Sequence, residues 1–243
     1  MERIYREELR LRTEQVDLCG TWRPSAILDL MQEAAGTHGE MLGFGRAALL
    51  DQNMFWVLAR LEVEMDRYPQ FNDVVTVETF PTAVRRWFFP RYYRFFDVRG
   101  EELGRAASLW LLLDTASRKM VRPDPILHLL PDNSDLPAPL GLPATVAEVG
   151  GTLTTGTYVP QYRDLDMNRH VNNIRYMDLC CDALGIDTMS AQTFRRFAVN
   201  YTREIRPGQT IRTELRRLGN DLSFSGLEGD ERHFDIGGTL MDR

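Results

Sequence analysis

The segment YRDLDMNRHVNNIRYMDL, residues 162–179, gathers a carboxylate, a carboxamide and an imidazole just ahead of a helical pattern. If Asp166 to His170 is extended, the i, i+2, i+4 spacing sets Asp166, Asn168 and His170 on one face. Asn172 or Asn173 then stands where a helix cap is needed. The first free amides of that helix, with the positive end of its dipole, face the same small volume. Such a set can hold a water molecule and stabilise an oxyanion. The plainer alternative is an Asx-rich turn whose side chains only satisfy backbone groups. That alternative is preferred for Asn172 and Asn173. For Asp166, Asn168 and His170 the joint spacing favours chemistry.

A second polar set lies in FAVNYTREIRPGQ, residues 197–209, where alternation puts Asn200, Thr202 and Glu204 on one strand face. Glu204 is expected at the strand end, just before Pro207-Gly208. Its local alternative is a salt bridge to Arg203 or Arg206. Cys180 and Cys181 fall inside the helical pattern, where cysteine acts as a small hydrophobe and not as a nucleophile. No cysteine or histidine spacing suits a metal, so no metal site is expected. His38 reads as structural, His128 lies in a proline-rich stretch, and His233 has no catalytic company nearby in sequence.

These residues need elements to position them. In the first half Pro24 opens an amphipathic helix with Ile27, Leu30, Met31, Ala34 and Ala35 on one stripe and Gly36 near its end. Strands are expected at Val57–Met65, Val74–Phe80, Trp87–Val98 and Leu103–Leu113, the last two joined as a hairpin around Arg99-Gly100. The second half repeats the order. An extended segment, Leu153–Tyr162, leads to a helix with Ile174, Met177, Cys181 and Leu184 on one stripe. Strands follow at Phe197–Glu204, Thr210–Leu218, Leu222–Leu227 and His233–Met241, and look shorter than those of the first half. PSAILDLMQEAA can be laid over NNIRYMDLCCDA, and LEVEMDRYP over FAVNYTREIRP, as weak echoes of a duplication. Between the halves, residues 123–143 carry six of the twelve prolines, which excludes a central strand or long helix there. The expected division is a first unit at 1–122, a linker at 123–150 and a second unit at 151–243, each unit an antiparallel sheet wrapping a helix, α+β in class.

Bulk properties narrow the field. The chain has 243 residues and a net charge of −6, which disfavours nonspecific nucleic-acid binding. Lys119 is the only lysine among 29 basic residues. No apolar run is long enough to span a bilayer. The opening MERIYREELRLRTEQV has no apolar signal core and four glutamates, so the expected compartment is the cytoplasm. Three cysteines, Cys19, Cys180 and Cys181, agree with a reducing compartment.

DLDMNRHVNNIRYMDL resembles the signature of the acyl-ACP thioesterases, the family of plant plastid and bacterial enzymes that release fatty acids. FWVLARLEVEMDRYPQFNDVVTVETF, GRAASLWLLLDTASRKMVRP and YTREIRPG extend the resemblance in order over most of the chain. It implies a double hotdog fold, with the active site in the C-terminal unit and an acyl pocket largely in the N-terminal unit. Met31, Met41, Phe44 and Trp56 are the expected pocket residues.

By the same resemblance the catalytic Asp, Asn and His fall on Asp166, Asn168 and His170, and the acidic residue of the following strand on Glu204. Some members carry a cysteine directly after that glutamate. Here the position is Ile205, so water becomes the attacking group. The first-unit counterpart of the motif, near Leu18 to Trp22, lacks the Asp, Asn and His pattern. Glu204 with His170 is expected to take the proton from water, Asn168 and a helix amide to receive the oxyanion, and Asp166 to orient Asn168 and His170 and tune the imidazole. No cofactor is implied. The implied partner is an acyl carrier protein bearing a phosphopantetheine-linked fatty acyl chain, with arginines near the pocket mouth meeting the acidic carrier. Alternatives are an acyl-CoA thioesterase, a hotdog dehydratase or a non-catalytic acyl-binding protein. Pairing of units within one chain and pairing of two chains as a homodimer are both left open.

Overall fold

A computed structural model describes residues 2–243. The first half supplies β1 (Tyr5–Arg10), α1 (Pro24–Met41), α2 (Arg46–Leu50), β2 (Met54–Met65), β3 (Val74–Pro81), β4 (Phe89–Phe96) and β5 (Glu102–Asp114). The second supplies β6 (Thr152–Tyr158), α3 (Arg175–Leu184), α4 (Ile186–Ala191), β7 (Gln192–Tyr201), β8 (Ile211–Leu218), β9 (Asp221–Glu228) and β10 (Glu231–Asp242). The strand order is β1-β3-β4-β5-β2-β7-β10-β9-β8-β6. Read outward from the central β2–β7 pair, the two halves list equivalent strands in the same order. The second-half strands are 7, 10, 8, 8 and 12 residues long against 6, 12, 8, 8 and 13, so the expected shortening is slight and confined to β7 and β10.

The two wrapping sheets are edge-joined. Residues 60–64 of β2 pair antiparallel with residues 196–200 of β7, making one ten-stranded sheet. This pairing removes the edge that each five-stranded half would otherwise expose. Helices α1 and α3 lie on the same side of it and share one core, in which Ile27, Met177, Phe194, Phe197 and Val199 are buried together. Burying side chains of this size contributes about 1.5–3 kcal/mol each.

Several boundaries differ from the sequence expectation. β1 was not expected. Its inward residues Tyr5, Leu9 and its outward charges alternate beside β3, as suits a charged edge strand. Helix α1 runs through Gly36 to Met41, because His38 and Gly39 are buried against the fold, and packing outweighs the roughly 0.5–1 kcal/mol that an interior glycine costs. The hairpin at Arg99-Gly100 is present, with Gly100 at φ +80° and the Asp97 carboxylate accepting from the Arg99 and Glu101 amides. The proline-rich stretch is anchored: a 3₁₀ turn, Asp124–Leu129, buries Ile126 beside Phe44, Leu49 and Leu112. Asn133 donates to the carbonyl of Pro81 at 2.8 Å.

Candidate active site

The segment expected to be extended at Asp166–His170 is instead a tight turn. Asp166 N–H donates to the His170 carbonyl at 2.9 Å, Arg169 N–H to the Asp166 carbonyl at 3.0 Å, and Arg169 has φ 63°. The Asp166 carboxylate closes the turn from inside, accepting from the amides of Asn168 at 2.8 Å and His170 at 3.2 Å. The backbone therefore takes the Asx turn that was weighed as the alternative. The turn still brings the Asp166 and Asn168 side chains together, as the alternate face of a strand would have done.

The same turn exists in the first half. Asp17 accepts from the amides of Cys19 at 2.9 Å and Thr21 at 3.1 Å, and Gly20 takes the left-handed position with φ 75°. Trp22 N–H donates to the Pro69 carbonyl at 2.9 Å, as Val171 N–H donates to the Ile205 carbonyl at 2.8 Å. The aspartate is thus retained in both halves as a turn organiser. Asn168, His170 and Glu204 stand where the first half has Cys19, Thr21 and Tyr68. The Asn, His and Glu set stands on the repeated frame in the second half alone.

Glu204 does not end a strand. β7 stops at Tyr201, because the amides of both Thr202 and Arg203 turn to the His233 carbonyl, at 2.9 and 3.0 Å. The bond from Val171 to Ile205 then draws the residues preceding each, His170 and Glu204, side by side. His170 Nδ1 lies 3.1 Å from Glu204 Oε2. Asn168 Nδ2 donates to Asp166 Oδ2 at 3.1 Å, and Asn168 Oδ1 accepts from Arg46 Nη2 at 3.2 Å. The carboxamide is thereby fixed with one N–H still free. Asp166 reaches the backbone amide of His170 and not its ring.

Three residues of this site were not found by sequence reasoning. Arg118 donates to both oxygens of Glu204, at 2.9 and 2.8 Å, beside Arg206, whose ion pair with Glu204 is the local alternative the sequence offered. Arg46 and Arg118 come from the first half, over 80 residues away in sequence, and no local pattern signals that. His233, set aside for want of catalytic company, is buried beside the Glu204 loop with Nδ1 3.2 Å from the Glu204 carbonyl. A carbonyl only accepts, so Nδ1 carries the proton.

Burial of Glu204 acts to raise its pKa, but the Arg206 hydrogen bond, the charge of His170 and Arg118 outweigh it, and the net shift is downward. The cysteines behave as expected of core residues: Cys180 and Cys181 lie in α3, and burial, then Asp178, pushes the Cys181 thiol up to about 12. Ile205 is fully buried. Asn172 accepts from the Ile174 amide at 3.2 Å, but α3 starts at Arg175 with no side-chain cap on its first turn. The N–H of Asn173 has no acceptor among the described residues.

The turn, the Glu204 loop and the first-half arginines wall a cavity of about 1490 Å³ that both halves line. Phe44 and Trp56 are in its wall, with Trp56 Nε1 donating to the Phe44 carbonyl at 3.0 Å. Met31 is not: it packs in the core against Leu58, Leu61 and Tyr93 around a small internal gap. Met41 ends α1 and is 55% exposed, off the cavity. The longer helix turns its last residue outward. Among the described residues no cluster of acidic, histidine and cysteine side chains suits a metal ion, and no helix is long and apolar enough to cross a membrane.

Residues 2–128 match the family model described as acyl-ACP thioesterase N-terminal domain, and residues 151–231 that of the C-terminal domain. The palmitoyl-acyl carrier protein thioesterase, chloroplastic, of Arabidopsis thaliana is 25% identical over 248 residues, covering 93% of this chain. The chain spans 58% of that relative's length. Oleoyl-acyl carrier protein thioesterase 2, chloroplastic, of the same plant is 28% identical over 260 residues, with 95% and 71% covered. An acyl-ACP thioesterase from Bacteroides thetaiotaomicron superposes with a TM-score of 0.88 at 25% identity over 98% of both chains. The 12:0-ACP thioesterase from Umbellularia californica shares the fold, with a TM-score of 0.82 at 23% identity over 100% and 99%. The architecture is the tandem hotdog expected from the sequence.

Proposed function

We propose, from the premise that this chain belongs to the acyl-ACP thioesterase family, that it hydrolyses a fatty acyl thioester of an acyl carrier protein to the free fatty acid and the carrier thiol. The observation that carries this reading is the 3.1 Å approach of His170 Nδ1 to Glu204 Oε2 in the wall of a cavity lined by both halves. Glu204 is held as an anion by two arginines, which also weaken it as a lone base. The proton of the attacking water therefore goes to the imidazole at Nε2, the nitrogen turned away from Glu204, and the carboxylate stabilises the imidazolium that forms. The water oxygen bonds the acyl carbon, the free Asn168 N–H and the Asn173 amide receive the oxyanion, and the C–S bond then breaks. The imidazolium returns its proton to the leaving thiolate. Asp166 acts on this chemistry through Asn168 and the turn backbone.

The reading assigns the acyl chain mainly to the first unit, 1–122, and the reaction to the second, 151–243, with 123–150 connecting them and one site per chain. The partner is a carrier protein with its acyl group on phosphopantetheine, entering past Arg46, Arg118, Arg203 and Arg206, which all line the cavity. Cys19, Cys180 and Cys181 are free thiols, consistent with a reaction in the cytoplasm. Release of free thiol from carrier-bound and CoA-bound acyl groups, measured in parallel with His170→Ala and Glu204→Gln, tests the proposal. Near wild-type rates in both variants, or enoyl hydration without thiol release, overturn it.

A further inference from the structure

One charge in the cavity wall is not used by the chemistry above. Arg91, on β4, lines the same cavity yet is only 6% exposed. Its Nη1 donates to Thr79 Oγ1 at 3.2 Å and approaches His38 Nδ1 at 3.2 Å. Since arginine can only donate, His38 Nδ1 accepts and Nε2 carries the proton, donating to the Glu2 carbonyl at 3.0 Å. Burial, foremost, holds the pKa of His38 down, so the ring is neutral and returns no charge to Arg91. Thr79 and Ser108, which flank Arg91 on the neighbouring strands, are neutral as well.

Among the described residues no carboxylate forms an ion pair with this guanidinium, whose recorded side-chain partners are His38 and Thr79. Glu40, which lines the same cavity, is engaged by the Arg46 amide at 2.8 Å. Among the described residues, Nε and Nη2 of Arg91 have no hydrogen-bond partner, all its side-chain bonds being made through Nη1. Arginine does not shed its proton in a protein. An unpaired buried charge is costly, and buried guanidiniums are met by anions in bidentate fashion. The register gives the position. Arg91 pairs with Ser108, Ser108 with Leu61 and Leu61 with Val199, so Arg91 is three strands from β7 on the face shared with the helices. That is ~14 Å across the sheet from the strand that leads into Glu204.

We propose that Arg91 is the anion-binding end of the acyl pocket, and that the chain accepts acyl thioesters whose far end is a carboxylate, the half-thioesters of dicarboxylic acids. This inference rests on the thioesterase reading for its substrate and goes beyond it in the chemistry of the distal end. A series of unsubstituted and ω-carboxyl acyl groups of equal length, each as a non-hydrolysable CoA thioether, tests it by calorimetric Kd with the full chain. At the length that reaches Arg91, the wild type is expected to bind the ω-carboxyl member more tightly than its unsubstituted partner. Arg91→Met should lower that preference by about tenfold or more, and Arg91→Lys should retain part of it. A wild type that disfavours the ω-carboxyl group at every length overturns the proposal even if Arg91→Met does not fold. So does an Arg91→Met variant with the wild-type preference. Thiol release from the matching thioesters is followed separately, so that loss of the hydrolytic reading and loss of this inference remain distinguishable.

Discussion

The amide of Val171 donates to the carbonyl of Ile205 at 2.8 Å, and this backbone bond sets His170 against Glu204 although the two are 34 positions apart in the chain. The equivalent bond in the first half, Trp22 to Pro69, sets Thr21 near Tyr68. The same backbone joint is present twice, preceded by His170 and Glu204 in one half and by Thr21 and Tyr68 in the other.

Asn168→Ala should lower turnover by roughly 10²–10³, the usual cost of losing one oxyanion donor. Asn168 lies in an exposed turn and bonds only Asp166 and Arg46 through its side chain, so the melting temperature should stay close to wild type. Steady-state thiol release and a thermal scan on the same preparation check both halves of this expectation.

Asp17→Ala and Asp166→Ala remove the same two amide bonds from equivalent turns. Each should cost about 1–3 kcal/mol of stability in urea unfolding, since two amides lose their acceptor. Only Asp166→Ala should also lose activity. Equal activity loss in both would mean that the first-half turn takes part in the chemistry.

Glu204 has its carboxyl pKa lowered in the folded protein. A lowered native pKa favours the ionised form, so the contribution of Glu204 is in place above the ordinary carboxylate range and fades as pH falls through the lower native value. Ionisation of Glu204 should thus persist below pH ~4.3, the unperturbed glutamate value. Arg206→Ala should move that titration upward, because burial then acts with less opposition. The carboxyl titration of Glu204 followed by NMR in the two proteins is the measurement, and an unmoved midpoint would remove Arg206 from this role.

His233→Ala should reduce kcat several-fold with KM little changed, because the ring donates to the carbonyl of Glu204 and not to substrate. His233→Asn, whose amide can occupy the place of Nδ1, should recover much of the loss. A loss confined to thermal stability, with kcat intact, would assign His233 to folding alone.

Carrier-protein substrates should show kcat/KM falling as ionic strength rises, while a small pantetheine thioester should not, since the arginines at the cavity mouth act on the acidic partner before chemistry. Identical salt responses for the two substrates would count against carrier docking at Arg46, Arg118, Arg203 and Arg206.

What the sequence by itself determined is tied to short range. The stripe from Ile27 to Ala35, the alternation in Val57–Met65 and the turn at Arg99-Gly100 are set by neighbours within a few positions, and their elements occur where the pattern puts them. The polar cluster at Asp166, Asn168 and His170 was legible for the same reason, even though its backbone is a turn and not a strand. Only the tertiary structure decided that α1 continues through two glycines, that β7 ends at Tyr201, that Arg118 and His233 stand beside Glu204, and that Arg46 stands beside Asn168. It also placed Met31 in the core and Met41 in solvent. Those outcomes depend on which distant groups fill a volume or satisfy a carbonyl, and no periodicity along the chain encodes the partner of a group more than 80 residues away.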